Sequence, residues 1–507
     1  MWNRREFTAA SASLLAAASI TDRAQAQSAL PVVPVQVDLH GDAGPLEHKW
    51  SRCAGSDRAE ITMREDWRRD AARFRNECGL ERVRFHGILD DEMGVWKQGY
   101  VPMAGPNFQN IDNVYDGLMS LGLEPWVEIS FMPGKLASGQ FNFPGYTGNI
   151  TSPKSLDDWG AFTRLFAQHL VARYGAPEVR KWNFEVWNEP NLGVFFTGTQ
   201  AQYFDFYRAT ALALKAVDPA LKIGGPSTSA VQWIPQFLDY CGKTNTPLDF
   251  VSTHIYAGDD QKPIFGQAEK YKESDVIPTA VEQVRGQIDA TPFKGIPFWL
   301  SEWSSDSPAM IAEVVTRCLP YCDALSHWEL SGVFEEIFIP SQILVDGYNG
   351  YGMMAPRNIP MPAFNTYKLM NRLGRTRLNA EGPALASRKA DGKASVLVWN
   401  LAEVTQAKGM PGAQVARKVT GERKQIAVTM RSAHADQHVQ VSYVDWERGS
   451  PMPAWHALES PQYMTLAQLA YVRASAELAA PQMHKLDAKS TITLELPPEG
   501  VALLELI

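Results

Sequence analysis

Short apolar runs alternate with amphipathic stretches from about Trp50 to Val345. Arg82–Leu89, Leu123–Phe131, Trp182–Glu189, Lys222–Pro226, Asp249–Tyr256, Pro297–Trp303 and Leu325–Phe334 have the length and composition of strands. A weaker run at Arg52–Ala54 would make an eighth. Helix-period segments lie between them. In Ser155–Tyr174, Ser155 is the N-cap, Asp157 and Asp158 occupy the first turn, and Gly175 and Pro177 mark the end. Thr199–Val217 reads as another helix. Strand–helix alternation implies parallel strands with crossover helices. The expected class is therefore α/β, with a (β/α)8 TIM barrel over residues 48–345.

The pattern changes beyond about Thr376. Ala394–Trp399, Val439–Val444 and Ser490–Leu496 alternate with period two, and a helical pattern shows only at Thr465–Ala476. This predicts an accessory β-sandwich over residues 376–507, joined by the strand-like residues 31–40. No repeat or low-complexity linker separates the two parts, so they should pack closely.

Residues 1–26 read as an export signal. Arg4-Arg5 precede the apolar Ala9–Ile20 stretch, and Ala24-Gln25-Ala26 supplies an A-x-A cleavage site. The paired arginines suggest the twin-arginine route, with the ordinary Sec route as the alternative. The expected location is periplasmic or secreted. Cleavage after Ala26 would remove Arg4, Arg5, Arg23, Glu6 and Asp22, taking the formal charge from -8 to -9. A mildly acidic chain argues against a nucleic-acid partner. No later apolar run is long enough to span a bilayer, so no membrane partner is expected. The chain leaves the oligomeric state open.

At 45% hydrophobic and 21% charged residues, the composition is that of a globular protein. The five cysteines are odd in number and widely spread, which excludes a disulfide framework. Cys318 and Cys322 sit four apart on an expected helix but lack a His or Cys partner motif, so they read as buried small hydrophobes. There is no phosphate loop, no G-x-G-x-x-G after a strand and no HExxH helix. Gly347-Tyr348-Asn349-Gly350-Tyr351-Gly352 lacks a following Lys-Ser/Thr and reads as a tight loop at the rim. No cofactor and no metal are expected.

Two carboxylates stand out. Phe184-Glu185-Val186-Trp187-Asn188-Glu189-Pro190-Asn191 and Phe298-Trp299-Leu300-Ser301-Glu302-Trp303 are aromatic-rich strands, each carrying a glutamate at its C-terminal end. Alternation puts Trp182, Phe184 and Val186 on the helix-facing side, and Asn183, Glu185, Trp187 and Glu189 on the inner side. Phe298, Leu300 and Glu302 share one face of the seventh strand. Glu189 and Glu302 should both emerge at the C-terminal mouth, where barrel enzymes place catalysis. Glycosidic bond hydrolysis needs such a pair in unequal environments: a protonated acid for the leaving oxygen, and a carboxylate that attacks the anomeric carbon or activates a water. Glu185, deeper in the barrel, reads as a satisfied core carboxylate.

Trp187-Asn188-Glu189-Pro190-Asn191 resembles the acid/base motif of barrel glycosidases whose two glutamates lie on strands four and seven. Arg84-Phe85-His86-Gly87, Thr253-His254-Ile255-Tyr256, Leu300-Ser301-Glu302-Trp303, Gly332-Val333-Phe334-Glu335-Glu336 and Pro362-Ala363-Phe364-Asn365 narrow the resemblance to glycoside hydrolase family 39, most like its bacterial β-xylosidases. The resemblance runs from about residue 32 to at least Gly374. It implies a retaining double displacement with Glu189 as acid/base and Glu302 as nucleophile. It further implies that Asn188 contacts the sugar 2-hydroxyl and Tyr256 hydrogen-bonds the nucleophile. His86 and His254 would line the pocket, Glu335 and Glu336 would hold ring hydroxyls, and Trp328 and Phe195 would form apolar walls. Ser326-His327-Trp328-Glu329-Leu330-Ser331-Gly332 departs from the family pattern and puts the pocket floor at strand eight in question.

The leading expectation is a β-D-xylosidase releasing xylose from the non-reducing ends of xylo-oligosaccharides. Within the class, the rival is an α-L-iduronidase or another exo-glycosidase. A uronate would need a basic partner, and Arg84, two residues deeper than His86, reads as structural. A non-catalytic carbohydrate-binding protein is the reading from another class, and it would not require both glutamates. Exo or endo action depends on loops such as Ala257–Thr279.

Overall fold

Eight parallel strands close into a barrel in the computed structural model, which describes residues 30–96, 105–144, 147–332, 344, 351–405 and 418–507. After β1 (Val32–Asp38) come the barrel strands β2 (Ala54–Arg58), β3 (Arg82–His86), β4 (Glu124–Ile129), β5 (Asn183–Val186), β6 (Lys222–Thr228), β7 (Phe250–His254), β8 (Phe298–Trp303) and β9 (Ala324–His327). The helices between them start where their sequences provide caps. Ser155 accepts the backbone N–H of Asp158 ahead of Leu156–Tyr174, and Thr199 and Gln202 form a capping box ahead of Gln200–Val217.

Inside the barrel, side chains stack in layers. The lower layer is apolar and comprises Cys53, Trp126, Phe250, Trp299 and Ala324. Above it, register pairs Glu128 on β4 with Glu185 on β5. Both are fully buried, as is Arg84 on β3.

The second domain is a β-sandwich. Nine strands form one continuous sheet, in which β1 runs parallel to Lys424–Arg431 and antiparallel to Thr376–Glu381. Strands distant in that order contribute to one core, including Ile426 and Leu494 with Val441 and Leu504, so the sheet folds over on itself. Trp399 donates its indole N–H to Glu313 of the barrel, and Ala309 donates its backbone N–H to Glu499. Asn365 on the last barrel helix bridges the carbonyls of Gly449 and Ala476.

Several expected elements shift. The eighth barrel strand is Ala324–His327 rather than Leu325–Phe334, and the first is Ala54–Arg58 rather than Arg52–Ala54. A short helix, Met452–Ala457, begins with a proline in its first turn and was not expected. All five cysteines are buried and free. No described helix is long and apolar enough to cross a membrane. Residues 1–26, Glu335 and Glu336 lie outside the described residues, as does most of the glycine-rich rim segment.

Candidate active site

Glu189 follows β5 and Glu302 lies within β8, both at the C-terminal mouth, with 6% and 7% of their surfaces exposed. Strict alternation does not bring them there. Trp187 and Glu189 have φ of 71° and 41°, left-handed conformations that cost about 1–3 kcal/mol each in a non-glycine residue. The Trp187 turn corrects the sequence-based facing. Its indole packs among helix-side aromatics, donating to the Phe195 carbonyl at 2.8 Å and meeting Phe206 edge-on. Asn188 and Glu189 thereby face the mouth. β8 needs a second correction. Trp299 belongs to the lower interior layer, while Phe298 and Leu300 join the helix-side core. Register shifts against β7 and β9 then bring Glu302 inward.

Arg84 holds the layer beneath the pair. It donates to Glu185 at 2.6 Å, to Glu128 at 2.8 Å, to Asn188 Oδ1 at 2.9 Å and to Glu302 Oε2 at 3.2 Å. Burial, the largest influence, pushes the Glu185 carboxyl up, but the charge and hydrogen bond of Arg84 together with lesser contributions from His254 and Ser252 outweigh it, so Glu185 stays below the usual carboxylate range. Arg84 is thus more than structural, because its long side chain reaches the end of β8 from two residues below His86. Sequence reasoning also missed Glu128. Its signal was a glutamate in an otherwise apolar run, two residues after Trp126.

Glu189 and Glu302 have unequal surroundings. Burial raises the Glu189 carboxyl to about 7, opposed by Ser229 and by the charges of His86 and Arg84. Glu302 accepts hydrogen bonds from the Tyr256 hydroxyl and from Arg84. Burial, and then the charge of Glu302, hold the Tyr256 phenol well above its ordinary range and so protonated. The Tyr256 backbone N–H donates in turn to Asp259 at 2.8 Å. Burial raises the Asp259 carboxyl to about 7, and the charges of Glu189 and Glu302 add to the shift.

His86 is buried, donates Nδ1–H to Glu128 at 2.7 Å and stacks on Trp328 with centroids 4.6 Å apart. A Cβ at Gly55 would lie 2.3 Å from the Trp328 ring, so glycine there leaves room for the indole. Phe195 lies 6.0 Å from His86 and stacks on Phe143 at 4.8 Å. The structure thus gathers Glu189, Glu302, His86, Asn188, Phe195, His254, Tyr256 and Trp328 around one mouth. Of the divergent segment at strand eight, Trp328 faces the mouth, whereas the titratable His327 and Glu329 bond elsewhere. His327 bonds Tyr367 and Ser304 at 3.1 and 3.2 Å, and Glu329 accepts the backbone N–H of Asp57 at 2.6 Å.

Glu189, His254 and Glu302 each present one atom within 4.8 Å of the others. A divalent cation among them would face the Arg84 guanidinium, 3.2 Å from Glu302 Oε2 and 3.4 Å from His254 Nε2. The donor set does not suit a metal. It suits an electrophilic carbon placed between an acid and an anion.

The model of glycosyl hydrolases family 39 matches residues 33–488. A β-xylosidase of Caldicellulosiruptor saccharolyticus is 30% identical over 472 residues, covering 88% of this chain and 92% of its own length. The crystal structure of a monomeric β-xylosidase from Caulobacter crescentus CB15 superposes with a TM-score of 0.81 at 30% identity, over 94% of this chain and 99% of that one. An α-L-iduronidase of Mus musculus is also 30% identical, but over only 35% of this chain and 28% of its own.

Proposed function

We propose that this chain, which belongs to glycosyl hydrolase family 39 and is a glycoside hydrolase, is a retaining β-D-xylosidase. It removes xylose from the non-reducing ends of xylo-oligosaccharides. The observation that carries the mechanism is the spacing and inequality of the two carboxyls. One oxygen of each lies within 4.8 Å of the other. That favours nucleophilic attack over the wider gap of roughly 6.5–9.5 Å that an inverting water requires.

In the first step Glu302 attacks the anomeric carbon while Glu189 gives its proton to the glycosidic oxygen, and the bond to the leaving sugar breaks. In the second, Glu189, now a carboxylate, takes a proton from water. The water oxygen attacks the same carbon, and the ester bond to Glu302 breaks. Xylose leaves with its configuration retained, and both carboxyls return to their starting states. Tyr256 and Arg84 stabilise the Glu302 anion, Asn188 meets the 2-hydroxyl in this reading, and His86, Trp328 and Phe195 wall the sugar.

The substrate rests on the near full-length likeness to β-xylosidases. Arg84, the buried cation at this mouth, is committed to Glu128, Glu185 and Glu302. Among the described residues this disfavours a uronate. The pairing of Arg4-Arg5 with an A-x-A site supports export, which would put the activity in the periplasm or outside the cell.

Initial rates on a panel of aryl glycosides test the proposal, with Glu302→Ala and Glu189→Ala beside the wild type. Preference for the β-D-xyloside, collapse in Glu302→Ala and recovery of Glu189→Ala on an activated leaving group are expected. Turnover of the α-L-iduronide alone would keep the mechanism and overturn the substrate. Silence on every glycoside would overturn both.

A further inference from the structure

His254 reads from family resemblance as a pocket-lining residue, but its ring is fully buried and both nitrogens are engaged below the sugar's place. Nε2 lies 3.4 Å from Arg84 Nη2 and 3.3 Å from the Ser227 hydroxyl. A guanidinium only donates, so Nε2 must accept and the proton must sit on Nδ1. That Nδ1–H lies 3.0 Å from Glu189 Oε1 and 3.4 Å from Glu302 Oε2. This N–H is hydrogen-bonded to Glu189 and lies close enough to Glu302 to feel its charge.

We propose that His254 is a positioning residue whose Nδ1–H, bonded to Glu189 and facing Glu302, strengthens its bond to Glu189 as the negative charge moves from Glu302 to Glu189. The inference rests on the double displacement above. In the resting enzyme Glu302 is the anion and Glu189 holds a proton, and the N–H bonded to Glu189 is also drawn toward the charge of Glu302. Once Glu302 is esterified it carries no charge, and Glu189 must become the anion that activates water. The N–H then has a single anionic acceptor, Glu189, and lowers its proton affinity when the second step requires a base. The imidazole itself takes up no proton. Burial lowers its pKa to about 4, against the opposing charge of Glu302.

The charged groups that bear on His254 are Glu302 on β8, Arg84 on β3, Glu185 on β5 and Glu128 on β4. Those that bear on Glu189, among the described residues, include His86, Arg84, Glu128 and Asp259. None of these others donates an N–H to Glu189 in a described hydrogen bond.

Two polar substitutions separate this role from space filling. Asn Nδ2 falls near the place of histidine Nδ1, whereas the Gln amide reaches toward Nε2. The readout is the pH profile of kcat on 2,4-dinitrophenyl β-D-xyloside, a substrate whose good leaving group makes breakdown of the glycosyl-enzyme rate-limiting. In His254→Gln the acid limb should move up by about one pH unit, with kcat at pH 5.5 falling about 10-fold and the pre-steady-state burst less affected. In His254→Asn the limb should stay near its wild-type position. An unmoved limb in His254→Gln, or equal shifts in both variants, would overturn the proposal. If His254→Gln fails to fold, a shift of about one unit or more in His254→Asn contradicts it alone and an unmoved limb there supports it. A wild type inactive on all glycosides would instead sink the glycosidase reading itself.

Discussion

The lower and upper halves of the barrel interior are built by the same eight strands and have opposite chemistry. Below, Trp126 meets Phe250 and Trp299 at centroid distances of 5.2 and 4.5 Å, with Cys53 and Ala324 filling the remaining gaps. Above, the next inward positions hold Arg84, Glu128, Glu185 and His254, all buried. The apolar plug keeps water out from beneath, so charges in the upper layer act through a poorly screening medium. Burial can then raise Glu189 to about 7 while Arg84 holds Glu185 ionised one layer down. One half supplies stability, and the other spends some of it on charge.

Substitutions should divide along the same line. Glu302→Ala should lower kcat by about five orders of magnitude while shifting Tm by only a few degrees, read from aryl glycoside rates and thermal melts. Phe250→Ala should do the reverse, costing roughly 3–5 kcal/mol in denaturant titrations while the folded fraction keeps near wild-type kcat. Arg84→Met should cross the divide. It strands Glu128 and Glu185 without their cation, costing about 3–5 kcal/mol, and lowers kcat as well.

Glu189 predicts a pH signature of opposite sign to the usual carboxylate. Its folded pKa of about 7 lies above the unfolded value, so the folded state binds the extra proton. The stability this gives is fully present below the unfolded pKa of roughly 4.3 and is lost as pH rises through about 7. Glu189→Gln should therefore raise stability above pH 7 by up to ~3 kcal/mol and change little near pH 4. Wild-type kcat/KM should fall as pH rises through the same range. The smallest effect is expected of Tyr256→Phe, which removes one hydrogen bond to the Glu302 anion and should lower kcat about 10- to 100-fold without altering the fold.

Much of the barrel was legible because its strands are short apolar runs and its helices carry their own caps, as at Ser155 and Thr199. Glu189 and Glu302 were legible as carboxylates at the ends of such runs. Their facing was not, because it depends on a left-handed turn at Trp187 and on register shifts around β8, neither of which leaves a period in the sequence. Arg84 was placed on the correct face, but its reach to Glu302 is a matter of side-chain length. Glu128 required knowing that β4 lies beside β3 and that Arg84 waits there. The sandwich was legible in three alternating runs and in the strand-like residues 31–40, whereas which strands β1 pairs with, more than 300 residues away, leaves no local pattern.

The central claim is that Glu302 forms the covalent bond to the sugar. Incubation with 2,4-dinitrophenyl 2-deoxy-2-fluoro-β-D-xyloside, followed by proteolysis and mass spectrometry, tests it most directly. The electron-withdrawing fluorine slows both steps and the activated leaving group restores the first, so the ester should accumulate. The account predicts time-dependent inactivation and one fluoroxylosyl group on the peptide carrying Glu302. A label on any other residue, or an active enzyme that forms no adduct, would contradict it.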